Sequence, residues 1–153
     1  NSESRTREAF RDYFASLVAL DAAQRIYRAV WQRFSNEIRV LLDNQYVFAP
    51  FWEHHNGRPG AENWAVRLDE DRVTVKRALA HHDTPRLLAI LFDRLYVLRN
   101  QLVHGGATWN SGVNRTQLRD GNAVLGYLLP MFIDIMMDNP AREWGPPHYP
   151  VIS

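Results

Sequence analysis

The chain has 153 residues, 46% apolar and 23% charged, with no cysteine, values that describe an ordinary folded domain and exclude disorder, disulfides and thiolate chemistry. A formal charge of +1 excludes general attraction to nucleic acid, so any phosphate binding must come from a local cluster. No run approaches the roughly 20 apolar residues of a membrane span, and the opening NSESRTREAF is too polar for a signal peptide, so a cytoplasmic protein is expected.

A first helix is predicted from about Thr6 to Leu20, where Phe10, Tyr13, Phe14, Leu17 and Val18 recur at three- and four-residue spacing. A second follows at once. Asp21 is placed to cap it, and Ile26, Val30, Phe34, Ile38, Leu41 and Leu42 carry the period to about Asn44, so the two helices predict a hairpin. From Gln45 to about Glu70 the periodicity fails. The segment VFAPFWEHHNGRPGAENW predicts a long irregular loop, packed by its own aromatics or used for binding.

A third helix is expected from about Glu70 to His81, with Val73, Ala78 and Leu79 as a modest apolar side. Thr84 and Pro85 read as an N-cap and a first-turn proline, after which Leu88, Leu91, Leu95, Leu98 and Leu102 form a leucine stripe. Gly105 and Gly106 should end this helix. TWNSGVNRTQLRDGN is expected as polar loop. A last helix is predicted from about Asn122 to Asp138, apolar nearly all round and therefore central, with Pro130 expected to kink it. The proline-rich tail offers Trp144 and Tyr149 as anchors. The fold class is thus all-α, a bundle of four to five helices in a single domain over residues 1–153. A chain starting at Asn1 rather than methionine reads either as a piece of a longer polypeptide or as a trimmed chain.

The leucine helix carries a polar constellation in its last turns, LRNQLVHGG. With Leu88 at zero, the leucines fall within a sector of roughly 80°, whereas Asp93, Asn100 and His104 cluster at about 120° to 160° with Tyr96 near 80°. Arg99, at about 20°, must snorkel outward or find a partner. On spacing alone these groups read first as helix-terminus chemistry, with His104 near the last carbonyls and Arg99 paired to Asp93 or Asp134.

The segment LFDRLYVLRNQLVHGGATWNSGVNR, set within a short helical bundle, resembles the HEPN superfamily, and its bacterial Apea-like branch in particular. That superfamily is marked by an arginine, four to six intervening residues and a histidine late in a long helix, with a polar residue after the arginine. Here these are Arg99, Asn100 and His104. The RNQLVHGG ending and the WG-P-YP element of the tail resemble the same branch, over about Phe10 to Tyr149. The resemblance implies a HEPN-like fold and a homodimer whose two motif helices meet. It further implies either a metal-independent endoribonuclease in bacterial stress response or phage defence, or a non-catalytic module binding RNA, a nucleotide or a protein partner such as an antitoxin.

Cleavage without a metal needs a base for the 2′-hydroxyl, a cation for the crowded phosphate and an acid for the leaving 5′-oxygen. His104 and its dimer mate suit the acid and base roles because imidazole titrates near neutrality. Arg99 suits charge stabilisation, since its planar fork matches two phosphate oxygens, and Asn100 is placed to orient phosphate or imidazole. The products would be a 2′,3′-cyclic phosphate and a 5′-hydroxyl. On an ideal helix Arg99 and His104 point about 140° apart, which a dimer or unwinding at Gly105 would relieve; a two-fold interface is expected here, with Tyr96, Val97 and Val103 as contacts.

Other groups are weaker candidates. The pairs His54/His55 and His81/His82 lack metal-ligand spacing, so neither a metal nor a cofactor is expected. Trp52, Trp64 and Trp109, with Arg58 and Arg115, suit base stacking and phosphate contacts, but such aromatics more often anchor loops; of these Trp109 and Arg115, with Tyr96, are the candidate substrate contacts. No phosphate loop and no local Ser–His–Asp triad is present in the sequence.

Overall fold

Helix follows helix through the computed structural model, which describes residues 2–44, 53–55, 57–103 and 111–144 and has no strand among them. The architecture is all-α. Helix α1 (Ser2–Leu20) buries Phe14 and Leu17, one turn apart, and leaves Phe10 on the rim.

The second expected helix is in pieces. After a left-handed turn at Gln24, φ 55°, α2 (Arg25–Arg28) runs into a π-helical segment (Ala29–Arg33), in which the Phe34 N–H donates to the Ala29 carbonyl at 2.9 Å. Helix α3 (Ser35–Asp43) starts afresh. The apolar spacing explains the wide turn. Ile26, Val30, Phe34 and Ile38 lie four residues apart, so on a regular helix they would drift by about 40° per step. All four are buried, because the wider turn absorbs that drift and keeps them on one face. Asp21 caps from a distance: its buried carboxylate accepts the Ile26 N–H at 2.7 Å, one of the donors a helix start leaves without a partner.

Helix α4 (Trp64–Ala80) begins six residues before the expected Glu70, which shortens the irregular segment. Within that segment residues 53–55 form a helical turn and Ala61 is buried, while 45–52 and 56 lie outside the described residues. Leu68, Val75 and Ala78 form the buried face of α4. Asp71 occupies the position between them where the period calls for an apolar side chain.

Helix α5 (Thr84–Val103) buries Leu88, Leu91, Leu95 and Leu98 of the leucine stripe together with their neighbour Leu87. Its cap is Asp83, not Thr84. The Arg86 N–H donates to Asp83 Oδ1 at 3.3 Å, whereas Thr84 is buried and its hydroxyl accepts the Trp31 indole N–H at 2.9 Å.

Helix α6 (Ser111–Asp138) starts eleven residues before the expected Asn122, so most of the presumed polar loop is helix. Its buried face reads Gln117, Gly121, Val124, Leu128, Met131, Phe132 and Ile135, a 3.6-residue period whose first two members are not apolar. Nor is α6 central all round: Leu129, Ile133 and Met137 are exposed.

Helix α5 packs chiefly on α1 and also meets α3, α4 and α6. Phe14, Phe92 and Phe132 join α1, α5 and α6, with ring centroids 5.0 to 5.9 Å apart. After α6 the chain folds back on α1, where Trp144 stands edge-on to Tyr13 at 5.9 Å and Arg142 donates to the Ser16 hydroxyl at 3.0 Å. Trp144 is an anchor, as expected; Tyr149 lies outside the described residues. Among the described residues no helix is long and apolar enough to cross a membrane.

Candidate functional site on the C-terminal half of α5

The position of α5 against α6 is set by a glycine. A Cβ on Gly121 would lie 3.1 Å from Leu95 Cδ2 and 3.3 Å from Leu98 Cδ2, so α6 comes close at this point because position 121 carries no side chain. Leu98 immediately precedes Arg99, and this contact therefore holds the start of the polar constellation.

Arg99 is exposed and takes the outward course. Its Nη1–H donates to Asn100 Oδ1 at 3.0 Å. Neither carboxylate expected to neutralise it does so. Asp93 lies 3.6 Å from Arg94, and Asp134 lies 3.5 Å from Arg25. A guanidinium carries five N–H donors, so the bond to Asn100 leaves most of them directed at solvent. Tyr96 is 61% exposed, one turn before Asn100.

Val97 does not fit the expected interface. It is buried inside its own chain and offers little surface to a second subunit. His104 and Trp109 lie outside the described residues, as do the side chains of Val103 and Leu102. Arg115 is exposed on α6, with no hydrogen bond or ion pair to Tyr96, Arg99 or Asn100.

Two groups escaped the sequence reading. Arg94 is 1% exposed, and its Nη2 is bonded to the Asp71 carboxylate, so a salt bridge ties α5 to α4 inside the bundle. The wheel carries a signal for it: at about −120° Arg94 flanks Leu98 and Leu87, within the buried arc. Gln117 is 2% exposed, and neither its amide oxygen nor its nitrogen has a hydrogen-bond partner among the described residues.

The paired histidines have local tasks. His82, at a left-handed φ of 49°, stacks on Trp31 at 4.3 Å and bonds the Tyr27 hydroxyl through Nδ1 at 2.9 Å. His54 lies 6.4 Å from Trp64, ring to ring. Among the described residues no group of three or more His, Asp or Glu side chains is arranged to hold a metal ion.

No family model, curated protein or solved structure matches this chain.

Proposed function

We propose that the chain is a HEPN-type domain acting as a metal-independent endoribonuclease, with Arg99 holding the scissile phosphate, His104 moving the protons and Asn100 orienting one or both. The observation that carries this reading is the Arg99–Asn100 bond. Neighbouring residues on a helix do not normally face each other, so the bond draws the guanidinium from the leucine flank towards the ridge that the sequence assigns to Asn100 and His104. It stays exposed and keeps donors for a phosphate, which an arginine spent on a carboxylate would not.

The reading requires a homodimer in which two copies of α5 meet, Tyr96 included, so that imidazoles from both chains serve one phosphate as acid and base. A setting in bacterial stress response or phage defence, in the cytoplasm, belongs to the same proposal, as do Arg115 and Trp109 as RNA contacts.

Labelled RNA incubated with the protein in EDTA tests it. Wild type should yield fragments ending in 2′,3′-cyclic phosphate, and Arg99→Ala and His104→Ala should each lower the rate by at least about a hundredfold, the scale of losing one acid–base or charge-stabilising group. Asn100→Ala should lower it less. Uncut RNA with wild type, or a monomer by light scattering, overturns the nuclease and leaves a non-catalytic module.

A further inference from the structure

A second basic surface lies away from the α5 motif, where the π-helical turn faces α6. Arg25, Arg28 and Gln32 share one helical face, and on a regular helix Arg33 would point about 140° from Arg28; the wider turn draws Arg33 towards the same wall. The opposite wall is α6, with Gly126, Tyr127 and Pro130. Between them is an open groove of about 680 Å³.

The charges in it are unequal. Arg25 is held by Asp134 at 3.5 Å, but Arg28 and Arg33 have no carboxylate partner among the described residues. Arg33 instead lies over the Tyr127 ring, 4.6 Å from its centroid, which fixes a flat guanidinium at the groove wall. Gly126 leaves the α6 wall open: a Cβ there would meet nothing within 4 Å.

We infer that this groove binds the phosphodiester backbone of a single-stranded RNA. Two uncompensated guanidinium groups match phosphate oxygens, and Gln32 adds an amide that both donates and accepts. A small anion would need a pocket enclosing most of its surface, whereas this groove between two helices is open to solvent and suits an extended chain. The choice of RNA rests on the ribonuclease reading; the affinity for a phosphodiester backbone rests on the groove alone.

The test is fluorescence anisotropy with a labelled 2′-O-methyl oligoribonucleotide, which binds but cannot be cut, measured over a range of salt. The double variant Arg28→Ala/Arg33→Ala should bind about tenfold or more weakly at low salt and lose about 1.4 from the slope of log affinity against log salt, at about 0.7 per phosphate contact on a single strand. Gly126→Leu, which fills the groove without touching the core, should weaken binding as well; unchanged circular dichroism certifies both folds. Unaltered affinity and slope in both variants overturn the groove. Displacement of the oligonucleotide by polyglutamate at equal charge, as readily as by RNA, also overturns it and assigns the surface to an acidic protein segment. Weaker binding in the variants together with no cutting of ordinary RNA by wild type keeps the groove and sinks only the nuclease.

Discussion

Arg94 is the residue on which the α4–α5 contact turns. A guanidinium taken out of water is tolerable only when its charge is answered, and Asp71 answers it from α4 while Asp93 lies nearby on α5. Asp71→Ala should therefore cost about 3–5 kcal/mol, the loss seen when one partner of a buried pair is removed, read as a shift in the urea midpoint. A change within about 0.5 kcal/mol, the size of an ordinary surface substitution, would mean that the pair is solvated. Arg99 presents the opposite arrangement five residues on. It is exposed and bonded to a neutral amide, and this contrast separates a structural arginine from a candidate functional one on the same helix.

At the scale of elements, the C-terminal half of α5 depends on how closely α6 approaches it. Gly121 is buried against Leu95 and Leu98, so Gly121→Val should overpack the contact and cost about 1–3 kcal/mol. Gly121→Ala should be nearly neutral, because its helix propensity gain of about 1 kcal/mol offsets a crowding of two mobile leucine methyl groups. Urea midpoints distinguish the two, and the reverse order would show that the glycine does not set the approach. Since Leu98 adjoins Arg99, the valine variant should, on the ribonuclease proposal, also cut RNA more slowly than its stability alone explains.

At the scale of the molecule, the first and last helices and the tail meet at Tyr13. Its hydroxyl donates to Met136 Sδ at 3.0 Å, its ring faces Trp144, and burial raises its pKa above the ordinary phenol value. The sign follows from the unfolded chain releasing this proton first. The contribution is complete below the unfolded pKa of about 10 and is lost as pH rises from there through the raised folded value. Urea midpoints between pH 9 and 11.5 should fall less steeply for Tyr13→Phe than for wild type. Parallel curves would show that the phenol ionises freely in the folded bundle.

Periodicity by itself determined the all-α class, the leucine face of α5 and the apolar faces of α1 and α3, because burying a leucine or phenylalanine is favourable wherever a helix turns inward. It also singled out Arg99 and Asn100 as neighbours on a polar ridge, since helical spacing is a local property. Two of its misses share one physical cause. The expected helix before the leucine stripe began late because Asp71 sits at a core position, and the first turns of α6 read as loop because their buried face is Gln117 and Gly121. A carboxylate or a bare Cα is acceptable inside when something from another helix meets it: a buried guanidinium for Asp71, two leucine methyl groups for Gly121. Such partners lie far away in the chain. Only the tertiary structure decided which arginine went inside, where the π turn aims its side chains, and which face of α6 met water.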